Sequence, residues 1–122
     1  MNILAIVLQA LLGLVFLMAA FGKISGQKMH VDSFTKWGFP QWFRVMTGLV
    51  ELVGAVGFIV GIWTNSWAAV AGLLLAITML IAILVHVKIK DPLKDTFPSI
   101  VLFILSLVVL LLQWSELSQF PN

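Results

Sequence analysis

Four stretches of this chain, residues 3–22, 42–63, 67–87 and 99–114, are apolar almost without interruption, and the connections between them are short. A bilayer core about 30 Å thick is crossed by a helix of about 20 residues. A backbone immersed in lipid must also satisfy its own hydrogen bonds, which a helix does within one segment. The pattern therefore predicts an all-α protein, a four-transmembrane-helix bundle. Composition agrees, since 61% of the 122 residues are hydrophobic and 10% charged, with a mean hydropathy of +1.13. The spans use most of the length, so residues 1–122 are expected to form a single membrane domain whose first partner is the lipid bilayer. The first stretch has no basic segment ahead of it, as a secretory leader would, and is taken as a true span.

The charges lie in two connections. All seven basic residues, Lys23, Lys28, Lys36, Arg44, Lys88, Lys90 and Lys94, belong to loops 23–41 and 88–98 or to the helix ends beside them. The positive-inside rule then places both loops in the cytoplasm and both termini outside, in a multi-pass protein of the cell membrane. Trp37 and Trp42 fall at the inner boundary, and Trp63, Trp67 and Trp114 at the outer one, as an aromatic belt requires. In the first loop Met29, Val31, Phe34 and Trp37 can share the apolar face of a short interfacial helix. Gly38-Phe-Pro40 ends that piece, and Pro40 suits the first turn of the next helix. The two loops echo one another, with Lys23-Ile24 and Lys88-Ile89 opening them and Phe39-Pro40 and Phe97-Pro98 closing them. The echo points to two like-oriented hairpins.

Polar residues inside the spans are few, and they carry the functional argument. Glu51 is the acid well inside an apolar span, and ionisable groups at that depth mark sites by default. Positions 44, 47, 48, 51, 54 and 55 fall on one helical stripe that mixes polar with small residues and is expected to pack inward. Gly57-Phe-Ile-Val-Gly61 on the same helix reads as close helix packing. Glu51 lies about ten residues from the inner boundary, roughly 15 Å deep at 1.5 Å per residue. Thr78 and Ser106 sit at a similar depth on their own helices. Nearer the cytoplasm come Lys23, Arg44 and His86. The expected arrangement is a cytoplasm-facing pocket with Glu51 at its floor and basic groups at its mouth. Glu51 and His86 are the candidate catalytic residues, and Lys23, Arg44, Thr47, Thr78 and Ser106 the candidate ligand-binding ones. Such a pocket suits a quinone or a similar apolar small molecule, whose carbonyl oxygens accept hydrogen bonds while its ring prefers hydrocarbon. Electrons would come from a partner enzyme or cofactor.

Other chemistries are disfavoured. The chain has no cysteine, which removes disulfide exchange, thiolate nucleophiles and iron–sulfur ligation. Two histidines, with His30 in a loop, make a poor haem signal, and neither haem nor metal is expected. The net charge of +2 follows from topology, and no nucleic-acid partner is expected. Structural roles compete for every candidate: the basic residues serve as topology signals and snorkelling anchors, Thr78 and Ser106 back-bond to their own helices, and Glu51 holds the bundle together as a hydrogen-bonded acid.

Gly22-Lys23, Gly38-Phe-Pro40, Thr47-Gly48-x-x-Glu51-Leu52-x-Gly54, Gly61-x-x-Thr64 and the run from Thr78-Met79 to His86 occur together and in order. In this respect the chain resembles the DoxX family of small four-helix membrane proteins, in particular its short DoxX-like branch. The resemblance implies a link to redox systems, since relatives include subunits of thiosulfate:quinone oxidoreductase and proteins associated with quinone, catechol or oxidative stress. It also implies a soluble or membrane redox enzyme as partner; a second copy of the chain is a further candidate. If catalytic, the protein would be an oxidoreductase subunit acting with that partner. Lys23, Glu51 and His86 match recurrent polar positions of the family, whereas Gln9 stands where many relatives carry an arginine. With that charge missing, no direct partner for Glu51 is legible, and a neutral, hydrogen-bonded acid is expected. Two alternatives of other classes stand beside the quinone reading: a small proton-coupled transporter working through Glu51, and a non-catalytic membrane scaffold for an enzyme.

Overall fold

The computed structural model describes residues 3–121. Five α-helices follow one another: α1 (Ile3–Ser25), α2 (Lys28–Lys36), α3 (Gln41–Val60), α4 (Asn65–Lys88) and α5 (Leu93–Leu112). A 3₁₀ turn, Trp114–Gln119, follows α5. Helices α1, α3, α4 and α5 are long and apolar enough to cross a membrane. There is no strand among the described residues. The expected four-helix membrane bundle with a short helix in the first loop is thus the observed architecture.

Helix α1 packs most extensively on α3, and α4 on α5; α3 against α4 joins the two pairs, and a smaller α1–α5 contact closes the ring. The pairing is that of two hairpins. Helix α2 sits in the first hairpin's loop and has no counterpart in the second, so the sequence echo does not extend to the loop structures. Side chains such as Leu4, Leu11, Met18 and Phe21 point outward and are exposed, as a lipid-facing surface requires.

The α3–α4 contact explains where the bundle opens. The two helices are joined by a tight turn, and next to it small residues let their backbones meet. A Cβ at Gly61 would stand 2.6 Å from the Ala68 backbone nitrogen, and one at Gly57 would stand 2.9 Å from the Ala71 Cβ. One turn further, Gly54 is filled by Leu75, whose Cδ1 would lie 2.3 Å from an added Cβ. The GxxxG pair therefore works within the chain, as the spacing suggests. This half of the bundle is solid, with Leu12, Phe16, Ala55, Phe58, Ala71, Leu75 and Val109 in one core cluster. Gln9 is buried there too, donating to the Phe58 carbonyl at 3.2 Å and accepting from Gln113 at 3.1 Å. Past Leu75 the next inward positions carry Glu51, Thr47 and Thr78 instead of glycine against alanine. At that level the packing gives way to a cavity.

Three boundaries differ from expectation by three residues or more, the first being that of α3, which ends at Val60 rather than at residue 63. Helix α1 runs three residues beyond Gly22, to Ser25, because the residue that leaves helical conformation is Gly26, at φ +79°. Gly26 is thus a C-terminal cap. Helix α5 starts at Leu93 rather than after Pro98, with Pro92 as its N-cap and Pro98 one turn and a half inside. The tail returns to α4: Trp67 donates from Nε1 to the Pro121 carbonyl at 3.0 Å and packs against the Phe120 ring, centroids 5.4 Å apart.

Candidate functional site

The cavity has a volume of about 340 Å³ and lies at the end of the bundle that carries the basic loops. All four spans contribute, Ala19 and Lys23 from α1, Thr47 and Glu51 from α3, Thr78 and His86 from α4, Ser99 and Leu102 from α5. Helix α2 and the segment after it supply the roof. Phe34, the buried residue of α2, has Trp37 at 5.1 Å and Phe39 and Phe43 each at 6.3 Å between ring centroids. The interfacial helix expected from its amphipathic pattern is therefore a cover. Met46 on α3 and Ile81 on α4 also line the cavity and are 49% and 54% exposed, so it reaches the lipid-facing surface between these two helices.

At the floor, Lys23 and Glu51 meet. Lys23 Nζ lies 2.8 Å from Glu51 Oε1, with 14% and 2% of the two side chains exposed. This corrects the expectation that Glu51 has no direct charged partner. The extra turn of α1 is the physical reason, since it makes Lys23 part of the cavity wall instead of an anchor beyond the helix end. Oε1 receives no hydrogen bond of good geometry, so the pair is held by charge and the oxygen retains capacity for a donor. Gln9 is too far along α1 to stand beside Glu51's partner. It is fourteen residues before Lys23 on the same helix, about 21 Å along the axis.

Arg44 does not line the cavity. It donates from Nη1 to the Lys23 carbonyl and from Nε to Gln41 Oε1 at 2.8 Å, capping α1 through one of the carbonyls its end leaves free. Arg44 thereby holds the backbone of Lys23. Ser106 is also outside the lining; it is fully buried against Gly72 with no hydrogen bond to its Oγ. Its expected back-bond is absent, whereas Thr47 and Thr78 donate to Phe43 O and Leu74 O, each at 2.8 Å. His30 covers Gly22, where a Cβ would stand 3.0 Å from the imidazole. Burial, reinforced by the nearby Lys23 and Arg44 charges, lowers its pKa below the ordinary imidazole value. Its neighbours differ from those of His86, and the two do not form a common site.

At the mouth, His86 is organised by a residue that sequence patterning does not reveal. His86 Nδ1 lies 2.7 Å from Asp91 Oδ2, Lys36 Nζ donates to Asp91 Oδ1 at 2.6 Å, and Trp37 Nε1 donates to Oδ2 at 3.4 Å. The Trp37 ring also meets the imidazole edge-on, centroids 5.1 Å apart. The Lys36 hydrogen bond, with those of His86 and Trp37, holds the Asp91 carboxyl below the usual carboxylate range against the opposing effect of burial. The helix cap explains how Asp91 gets there. After α4, Lys90 adopts φ +60°, and the chain closes with Asp91 N–H to His86 O at 2.9 Å and Lys90 N–H to Val87 O at 3.1 Å. This is a Schellman cap, and it folds Asp91 back onto the side chain five residues before it. Aspartate before proline, just past a helix whose last turn carries a histidine, is the local signal of this.

Lys23, Thr47, Glu51, Thr78 and His86 are thus brought together around one apolar space, with the Lys23–Glu51 pair at one end and the His86–Asp91 hydrogen bond at the other. No solved structure matches this chain. A similar curated protein is the uncharacterized protein YdgD of Bacillus subtilis (strain 168), 25% identical over 108 residues, covering 88% of this chain and 95% of that protein. The model of the DoxX-like family matches residues 7–109, from the first span to the last. Multi-pass architecture, matched length and motif order converge, and the chain belongs to the DoxX-like family.

Proposed function

We propose that this protein is a redox-associated membrane subunit that binds a quinone, or a similar apolar ring compound bearing oxygen substituents, in the cavity between Glu51 and His86. The observation that carries this reading is the distribution of polarity: an apolar space with the Lys23–Glu51 pair at one end and the His86–Asp91 pair at the other. Its volume of about 340 Å³ falls within the range of small-molecule sites. It is large enough for a ring, while a long tail would leave through the α3–α4 gap at Met46 and Ile81. A lipid-soluble ligand can enter by the same gap without crossing water.

The residues fit such a ligand. Lys23 donates a hydrogen bond to a ring oxygen at the floor, Glu51 balances the ammonium charge, and Thr47 and Thr78 have their hydroxyl hydrogens committed to their own helices. Phe34, Trp37 and Phe43 exclude water from the roof and offer ring faces. When bound, a quinone would supply the redox chemistry; the chain's residues position it, and His86 can hold or release a proton at its oxygen. The basic loops lie in the cytoplasm on this reading. Because the chain has no cysteine, a single cysteine at Lys90 or Ser115 reports its own side by impermeant labelling of intact cells.

The test is equilibrium binding of a short-tailed benzoquinone to purified protein. Wild type is expected to bind, Glu51→Gln to bind weakly, and Ala82→Phe, which fills the cavity from the α4 wall, not at all. Equal binding by all three proteins would remove the reading. Proton flux in proteoliposomes driven by a substrate and abolished in Glu51→Gln would favour a transporter instead.

A further inference from the structure

The Asp91 carboxylate is surrounded by donors: Lys36 Nζ on Oδ1 at 2.6 Å, and His86 Nδ1 at 2.7 Å and Trp37 Nε1 at 3.4 Å on Oδ2. An ionised carboxylate accepts hydrogen bonds and has none to give. The Lys36 ammonium keeps it ionised, so the hydrogen shared with His86 resides on Nδ1. In a neutral imidazole one ring nitrogen donates and the other accepts. Nε2 is then an acceptor, and it has no hydrogen-bond partner among the described residues, on a side chain that lines the cavity.

The other end of the cavity makes no such choice. Lys23 offers a donor and Glu51 an acceptor side by side, so a carbonyl and a hydroxyl are equally served there. Discrimination between the two falls to His86. A hydroxyl at the mouth completes a hydrogen bond to Nε2, whereas a carbonyl oxygen sets two acceptors against each other.

We propose that Asp91 is a positioning residue that holds His86 in its Nδ1–H tautomer, so that the cavity takes a ring ligand bearing a hydroxyl in preference to its carbonyl counterpart. This deepens the reading of the cavity as a site for oxygen-substituted rings and rests on it. An imidazolium would donate from both nitrogens, and because a hydroxyl oxygen accepts as a carbonyl does, it would remove the preference. The charged groups around the ring are Asp91 from the α4–α5 connection, Lys36 of α2 behind it with Asp95 of α5 beyond, Lys88 on its own helix, and the Lys23–Glu51 pair across the cavity.

The experiment compares naphthohydroquinone with naphthoquinone, under anaerobic conditions, on the purified full-length protein from about pH 5.5 to about pH 9, which brackets the ordinary imidazole range. At the alkaline end the hydroxyl form is expected to bind about tenfold more tightly, the scale of one buried acceptor left without its donor. The ratio should fall on acidification. Asp91→Asn keeps the shape and lets an amide N–H face Nδ1, which turns Nε2 into a donor; the alkaline preference should then disappear while overall binding persists. His86→Gln should abolish the pH dependence of the ratio. A hydroxyl-to-carbonyl ratio near one in wild type at alkaline pH, or one that Asp91→Asn leaves unchanged, overturns the tautomer inference while binding itself stands. Binding of neither compound overturns both this inference and the reading beneath it.

Discussion

Replacing Lys23 by methionine and, separately, Glu51 by glutamine should destabilise the bundle unequally. Methionine in place of Lys23 strands a carboxyl group whose side chain is 2% exposed, near the middle of α3. Among the described residues no other cation pairs with it, and Arg44 is committed to the Lys23 carbonyl and Gln41. Breaking a buried pair in this way costs about 3–5 kcal/mol. Glutamine in place of Glu51 strands the ammonium instead. Lys23 is 14% exposed and lies two residues before the last residue of α1, so its four-carbon stem can swing to the headgroup layer. Once that escape offsets most of the loss, the cost should be about 1–2 kcal/mol, at the level of a buried hydrogen bond. The double substitution removes both charges and should fall near the milder single variant, since isosteric replacement of a buried pair is often close to neutral. Chemical unfolding of the four proteins in mixed micelles measures all of this. Additive single effects, or a Glu51→Gln protein less stable than Lys23→Met, would refute the idea that the pair is buried at one end and open to escape at the other.

Other consequences are equally direct. Lys90→Gly should stabilise the protein by about 0.5–1 kcal/mol, since a non-glycine residue at φ +60° carries left-handed strain that glycine relieves, less glycine's own entropy cost; a lower unfolding midpoint would contradict the cap. Gly61→Ala should cost about 2–3 kcal/mol by overpacking, because the new Cβ meets backbone at 2.6 Å and not a side chain that can turn away. For His30, whose pKa is lowered in the fold, the folded state binds fewer protons than the unfolded chain. Stability is then complete above the unfolded value of about 6.5 and falls as pH drops below it; His30→Gln should flatten that part of the pH profile, with hydrogen exchange of α2 as the local readout.

The bundle was legible in the sequence because hydropathy alone demands it; of the four residues expected on the apolar face of a short helix, Phe34 is buried on α2, Trp37 is its C-cap and Met29 is exposed. Glu51, His86, Lys23, Thr47 and Thr78 were found because polar groups in lipid are conspicuous. What they touch was not. The direct Lys23–Glu51 contact depended on where α1 ends, and three extra residues turned a presumed anchor into a wall of the cavity. Asp91 escaped notice because the cap that folds it back uses Lys90 in a conformation usually marked by glycine. Arg44 shares the helical stripe of Glu51, yet lies on the seam with α1, a distinction set by helix rotation. Ser106 has the right residue type at the wrong level of α5, where close packing on Gly72 leaves no space for a ligand.

The most direct measurement is native mass spectrometry of the protein released from mild detergent after incubation with a short-tailed benzoquinone, wild type beside Ala82→Phe. The expected result is one bound quinone on wild type and none on Ala82→Phe, with the same phospholipid adducts on both. Quinone on both proteins alike, or on neither, would contradict a binding site between Glu51 and His86.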